Sequence, residues 1–424
     1  MASDASRKTA EGLLSALPLP EGEAGWARDV RAEARTRLLE AGAPGRRDEY
    51  WRFTDPTRLV KPLAPVESDE APSAVEDAFP GIDAALAEFV NGRRRPDLSD
   101  EPAADGLAVQ PLAEALGQDL SVARELFGRL ETAGNEKVVR PLAILNTATA
   151  RDGLVMQATG TVARPVHLRY RDIGAAGASV VRHLIRVEEG AELTLLESGT
   201  ATNSVIEVDL GPGATFRHLR VQSGERPAGV SHVFARVGEG AKFSSFGLMA
   251  DGELTRAETV MELAGENAVG HVAGAVLGRS EAHLDNTVFV THAAPDCESR
   301  QVFKNVLTEK AKAVFQGKIF VRPVAQKTDG YQISQAVVLD DGAEFLVKPE
   351  LEIYADDVQC SHGSTTGALD EDALFYLMAR GIPRRTAEGM LVEAFADEAI
   401  AEIDDGDLAD AMRATVAAWM SSRR

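Results

Sequence analysis

Over residues 1–140 apolar positions recur every three or four residues, the spacing of helices buried along one face. Glu23 to Ala41 sets Trp26, Val30, Ala34, Leu38 and Leu39 among Arg and Glu. Gly42-Ala-Pro44-Gly45 stops that helix, because Gly ends helices and Pro cannot continue them. Arg46 to Asp55 is dense in charge and aromatics, and Tyr50, Trp51 and Phe53 predict a small packing cluster that anchors the N-terminal region. Residues 63–105, rich in Pro, Ala, Asp and Glu, read as a loosely ordered connection with short helical pieces. Pro111 to Thr132 is helix-like again, with Leu112, Leu116, Leu120, Val122, Leu126 and Leu130.

From residue 141 the period shortens. Runs of Val, Ile, Leu, Phe and Thr such as Val166–Tyr170, His183–Val187 and Val205–Leu210 alternate with polar positions and end in Gly or charged turns. No long helical pattern interrupts them before Gly367. Within this block a turn glycine followed by alternating residues repeats weakly as Gly190-Ala-Glu-Leu, Gly213-Ala-Thr-Phe, Gly240-Ala-Lys-Phe and Gly265-Glu-Asn-Ala, at intervals of 23, 27 and 25 residues. Gly342-Ala-Glu-Phe lies 77 residues further on. Such a period implies stacked coils, each burying its apolar face on its neighbours. A parallel β-helix fits best, and a β-sandwich is the rival arrangement. After Gly367 helical spacing returns: Asp370 caps a helix closed by Gly381, Thr386 to Ile403 forms a second, and Leu408 to Trp419 a third. The domains are therefore 1–140, a helical region with its connection; 141–367, the solenoid; and 368–424, a helical unit.

Composition narrows the function. The formal net charge is −21 and the pI near 4.9, which argues against nucleic-acid or anionic-membrane surfaces built from clustered Lys and Arg. From Asp370 to Asp410 twelve acids face three arginines, so the helical unit either caps the last coil or docks a basic partner. Two cysteines, Cys297 and Cys360, do not make a disulfide scaffold for 424 residues. The N-terminus lacks the apolar core of a signal peptide, and no apolar run is long enough to span a membrane, so a reducing cytoplasm is expected. No phosphate-binding Gly-x-x-x-x-Gly-Lys-Ser/Thr loop, no Gly-x-Ser-x-Gly elbow, no His-Glu-x-x-His and no Cys-x-x-Cys occurs.

The chemistry concentrates in Tyr354-Ala-Asp-Asp-Val-Gln-Cys-Ser-His-Gly363. On an extended strand Asp356, Val358, Cys360 and His362 share one face, with Asp357, Gln359 and Ser361 on the other. A soft thiolate beside an imidazole fits half a site for iron, copper or zinc, or a thiol activated by a base, while two residues alone are equally compatible with a structural buried thiol and a satisfied imidazole. Two ligands are too few for a metal, so the rest must come from elsewhere in the fold or from a second subunit, and the site is expected at an interface. Cys297 and the histidines at 167, 183, 218, 232, 271, 283 and 292 read as structural.

Lys318-Ile-Phe-Val-Arg-Pro-Val-Ala-Gln-Lys-Thr-Asp-Gly-Tyr331, Lys348 to Gly363, Leu369 to Ile382 and the early Arg47-Asp-Glu-Tyr-Trp-Arg-Phe-Thr54 resemble the SufD family of SUF-system iron–sulfur cluster assembly proteins. Gly330, Gln335 and Val347 stand where Ala, Asn and Thr are common in the family. The resemblance implies a mainly β fold, a right-handed parallel β-helix flanked by N-terminal and C-terminal α-helical domains. It also implies a non-enzymatic scaffold that pairs with a SufB-like β-helix subunit and is driven by a SufC-like ATPase bound to the C-terminal helices. His362 is then an interface residue for the nascent cluster and for iron entry, with Cys360 its neighbour. Asp356, Asp357, Phe375, Tyr376 and Arg380 are candidate partner contacts. No permanently bound cofactor is expected, only transient iron or a nascent cluster. A structural β-helix homodimer without chemistry, or a β-helix carbohydrate-active enzyme, are the alternatives.

Overall fold

The computed structural model describes all residues except 1, 67–69, 71, 74–76, 120, 135–136, 174–176, 224–227 and 423–424, so Leu120 and parts of the 63–105 connection lie outside the described residues. Two sheets of ten and nine strands face each other, and from residue 154 onward the chain alternates between them strand by strand. Within each sheet every strand from Val166 or Leu154 onward pairs in parallel with the strand one coil later. The result is a parallel β-solenoid of about seven turns, with helices at both ends of the chain. No β-sandwich pairing is present among the described residues.

The sheets start earlier than residue 141. Ala85–Val90 pairs in parallel with Val166–Arg171, and Leu107–Pro111 pairs antiparallel with Leu154–Ala158. The connection read as loosely ordered thus supplies the first strands, because Ala-Leu-Ala-Glu-Phe-Val keeps an alternating pattern inside acidic, Pro-rich flanks.

The lumen between the sheets is apolar through most of its length. Leu193, Phe216, Phe243, Val272 and Phe303 of one sheet meet Ile206, Val233, Met261, Val288 and Phe315 of the other. The repeat is built on one corner. Gly190, Gly213, Gly240, Asn267, Asp296 and Lys327 each have positive φ, between 55° and 66°, and each precedes a buried residue: Ala191, Ala214, Ala241, Ala268, Cys297 and Thr328. The successive steps are 23, 27, 27, 29 and 31 residues, so the coils widen toward the C-terminus. Gly, Asn and Asp tolerate the left-handed region best, which is why the first three turns carry the visible glycine. The fourth corner is Asn267, not Gly265, and Gly342 belongs to the opposite sheet, just before Glu344–Ile353. Each corner N–H donates to a carbonyl of the next coil, from Gly190 to Pro212 at 2.9 Å up to Lys327 to Asp357 at 2.5 Å.

Helices cover both outer faces. Pro141–Thr149 and the N-terminal helices lie on one sheet, where Ala143 packs with Val205, Phe234, Phe289 and Phe320. Trp51 is buried there under the Arg256 guanidinium, 4.2 Å from its ring centroid, while Thr54 bonds Asp285, which also holds Arg256. On the opposite sheet Arg384–Ile400 and Gly406–Ser422 lie along the flank, Val392, Ala396, Ile400 and Met412 against Phe246, Leu248, Ala275 and Val302. The C-terminal unit therefore does not cap the last coil. Its acids answer basic residues of the sheet instead: Glu402 pairs with Arg300 at 2.9 Å and Asp404 with Arg217 at 3.2 Å.

Most histidines sit inside this frame as structural groups. His183 is buried in the lumen between the Tyr170 hydroxyl, 3.1 Å away, and the Leu154 N–H; His218 bonds Glu197 at 2.7 Å. His271 is half-buried, 3.2 Å from Glu298. Burial pushes His167, His183, His232 and His292 down from 6.5 to about 4. An unfolded chain binds these protons below 6.5 and the folded chain does not until about 4, so stability falls as pH drops through that window. The Glu197 and Glu258 carboxyls, held at about 2 by their ion pairs against the opposing cost of burial, lose their contribution lower still, between 4.5 and 2. The thermal midpoint is expected to decline steadily between pH 6.5 and 4, with proton uptake on unfolding at pH 5; a flat profile would contradict this reading. Trp51→Ala should lower the unfolding free energy by about 3–5 kcal/mol, measured as a shift of the guanidinium midpoint.

Candidate functional site

Cys360 and His362 lie on Val358–Gly367, the last strand of the ten-stranded sheet, and Glu344–Ile353 is the last of the other. Each pairs with one strand only, so both sheets end in an unpaired edge. Side-chain direction follows from register. His362 stands opposite Gln332, and Gln332 opposite Gln301, two amides fully buried between the sheets with Gln332 Nε2 donating to Gln301 Oε1 at 2.7 Å. Cys360 stands opposite Gly330, where an added Cβ would meet Cys360 Sγ at 3.2 Å, and it packs toward Ile319, Val321 and Leu351. Both side chains are thus on the lumen side of the final coil, where the solenoid is open: Cys360 is half-buried and His362 exposed.

The two walls of that opening differ. The facing strand contributes Phe345, Val347 and Leu351, partly buried and apolar. The Cys360 strand contributes Cys360, His362, Ser364 and Thr366. Beneath them the buried Gln332 Oε1 and Gln301 Nε2 have no hydrogen-bond partner.

Backbone direction is equally fixed. In a parallel ladder alternate residues turn both N–H and C=O to the same neighbour. Asp329 N–H donates to Cys297 C=O at 3.0 Å, so odd residues of Thr328–Val338 face inward down the stack and even ones face Val358–Gly367. On Val358–Gly367 the odd residues complete that ladder, and the peptide groups of Cys360, His362, Ser364 and Thr366 point to the free edge. By the same logic Glu344 N–H bonds Ala311 C=O at 2.9 Å, and residues 345, 347, 349 and 351 face outward; Pro349, which has no N–H, falls on the free side.

The other candidates separate in space. Asp356 and Asp357 are exposed in the corner before the strand, so Asp356 does not share the strand face with Cys360 as the alternation predicts. Asp357 is tied into the corner, its C=O taken by Lys327 N–H and its N–H given to Gln326 Oε1 at 2.9 Å. Phe375 and Tyr376 are exposed on Glu371–Ala379, 73% and 56% accessible, and Arg380 donates to the Tyr376 hydroxyl at 2.7 Å. The sequence did not single out the clip behind the edge. Tyr50 donates to Glu350 at 3.0 Å, its C=O accepts from Gln316, and Glu49 pairs with Lys348 at 2.7 Å, so the Arg47–Thr54 segment braces the last coil from outside. Nothing in the spacing of residues some 300 positions apart points to that contact.

Burial raises the Cys360 thiol above its ordinary 9.0, and the nearby Asp329 carboxylate pushes the same way. The chain by itself therefore keeps this sulfur protonated near neutrality, which disfavours a self-activated nucleophile. Cys297 is raised too, chiefly by burial, and its Sγ contacts the Gly265 carbonyl at 3.2 Å as a corner-packing residue. Among the described residues no group of three or more His, Cys, Asp or Glu is placed to hold a metal ion.

Fold and site together define an open-ended parallel β-solenoid that offers a thiol and an imidazole at an unpaired sheet end. A family model for the SUF system FeS cluster assembly SufBD core domain matches residues 170–395. The iron–sulfur cluster assembly protein SufD of Escherichia coli is 29% identical over 388 residues, covering 88% of each chain. A SufBD family protein of Synechocystis is 30% identical over 404 residues, covering 88% of this chain and 86% of its own. The chloroplastic protein ABCI7 of Arabidopsis thaliana is 28% identical over 430 residues, 95% of this chain and 87% of that one. This chain belongs to the SufD family of SUF-system iron–sulfur cluster assembly proteins.

Maleimide labelling followed by peptide mass spectrometry should modify Cys360 in the native protein and Cys297 only after unfolding. Equal labelling of the two would contradict the burial difference.

Proposed function

We propose that this chain is a non-catalytic scaffold of SUF cluster assembly whose open coil is half of an assembly site, completed by a SufB-like solenoid chain. The observation that carries this is the free edge: Cys360 and His362 turn their side chains into the open lumen and their peptide groups outward. A partner strand hydrogen-bonding along that edge would also close the lumen over the two side chains. Iron–sulfur clusters commonly take four protein ligands, and Cys360 and His362 are two, so the second chain supplies the remainder. The cluster and its iron are cargo, with no resident cofactor. His362 acts as ligand or proton acceptor, while Cys360, protonated in the isolated chain, becomes a secondary ligand or relay thiol once a metal or partner charge draws off its proton.

Right-handed coiling belongs to the same reading, since parallel crossovers overwhelmingly take that hand. Glu371–Ala379, with Phe375, Tyr376 and Arg380 on its exposed surface, is the contact for a SufC-like ATPase, and Asp356 and Asp357 lie at the rim of the solenoid interface. Among the described residues no helix is long and apolar enough to cross a membrane, in keeping with a cytoplasmic complex.

Two variants test the proposal. His362→Ala should abolish cluster assembly while the complex still co-purifies; normal assembly would sink the role given to this residue. Ser364→Pro removes an N–H that faces the free edge, so the chain should fold and keep its ATPase partner but lose the SufB-like chain. Unchanged pairing in that variant would rule out strand addition at this edge. If instead the edge serves self-association, the same substitution converts a homodimer to monomer without affecting capture of the second solenoid.

A further inference from the structure

On the outer face of the ten-stranded sheet a line of side chains runs from the C-terminal helices to the edge strand. Lys304 is buried, its side chain 3% accessible, and its ammonium meets two groups of helix Arg384–Ile400: the Glu398 carboxylate and the Phe395 ring, 4.7 Å from its centroid. The same Nζ donates to Gln335 Oε1 at 2.5 Å, one strand further along. Gln335 Nε2 in turn donates to Thr365 Oγ1 at 3.1 Å, on the strand of Cys360 and His362.

The charge fixes the order of this chain. An ammonium accepts no hydrogen bond, so Gln335 must turn its oxygen to Lys304 and its NH2 to Thr365. Among the described residues this is the one side-chain hydrogen bond made by Val358–Gly367. Lys304 remains under cover because the helix supplies both its counter-charge and its aromatic lid. Lifting that helix would bring the ammonium into water, where it no longer needs the amide, and Gln335 would be free to leave Thr365.

We infer that Lys304 and Gln335 are positioning residues that tie the seating of the C-terminal helices to the order of the His362 edge strand. The inference rests on the proposed role of that edge, but its physical content stands without it: a helix contact on one side of the sheet biases a strand two positions away. In the assembly cycle, movement of the helices by a bound ATPase would loosen the edge strand through this line.

The test is hydrogen–deuterium exchange, read by mass spectrometry, on the full chain alone with neither metal nor partner present. Glu398 is 64% accessible, so Glu398→Ala should fold. It is expected to speed exchange of the residue 358–367 amides by roughly threefold or more, the size of a coupling between residues in one hydrogen-bond network. Gln335→Leu and Thr365→Val should each do the same. The decisive comparison is the double variant: in the Gln335→Leu background, Glu398→Ala should add nothing. An equal acceleration by Glu398→Ala with and without Gln335 overturns the relay, as does no acceleration at all. His362→Ala should leave this cycle intact while abolishing cluster assembly, so failure of the coupling and failure of the functional reading give different results.

Discussion

A parallel solenoid satisfies the backbone of each coil with the backbone of the next, and the last coil has no next. That constraint shapes the C-terminal end of this molecule. The first coils are closed by short antiparallel pairings, Arg93–Arg94 with Phe89–Val90 and Leu107–Pro111 with Leu154–Ala158. The final coil ends instead in two strands with free outward peptide groups. An exposed edge invites pairing, and proteins that do not use one usually blunt it. Here the blunting is partial. Pro349 and the ion pairs of Lys318 with Glu352 and Lys348 with Glu350 interrupt one edge, whereas the Cys360 edge carries Ser, His, Gly and Thr with no lysine or proline across it. The two edges are thus unequal, and the one that carries Cys360 and His362 is the more open to another strand.

The helical regions matter for the same reason. Neither seals the open end; each covers an outer face and so leaves the edge free while stiffening it. The N-terminal segment reaches the last coil through Tyr50 and Glu49, and the C-terminal unit reaches Glu298–Leu307, two strands in from the Cys360 edge, through Glu398 and Glu402. The first set of contacts braces Glu344–Ile353, a strand paired on one side only at a solenoid end that has no further coil to order it. The acidity of the tail acquires a local meaning in the process: part of it neutralises Arg217, Arg300 and Lys304 on the sheet, and the remainder gives the outer surface its negative charge.

What the sequence made legible followed periodicity. Alternation and the Gly-Ala corners announced stacked coils, because left-handed corners favour glycine and the residue after them must be small to enter the lumen. The signal faded where Asn267, Asp296 and Lys327 took the left-handed position, since those residues are common everywhere. The strand at Ala85–Val90 was hidden by its acidic, proline-rich surroundings, though its own alternation was intact. At the site, period-2 placement correctly put Cys360 and His362 on one face, and failed for Asp356 because the chain turns before Val358. That the tail lies along a flank rather than over the last coil depends on apolar residues such as Val392 and Met412 finding Leu248 and Val302, a pairing of distant surfaces that no local pattern encodes.

The position of Cys360 also bears on how such an end can be chemically quiet until it is needed. In the isolated chain its sulfur is half-buried against Ile319 and Val321, with an acid rather than a cation nearby, so it stays a thiol. His362, one alternation further along the strand, is the more accessible of the two. A cation arriving at the open lumen would meet the imidazole first and would itself lower the pKa of the neighbouring sulfur, because a bound metal is the strongest local charge. Order of engagement would then follow depth rather than intrinsic reactivity. On the proposed reading the deeper group would become competent only after the shallower one had held a charge beside it, so the exposed solenoid end would not react before a partner and its cargo were both in place.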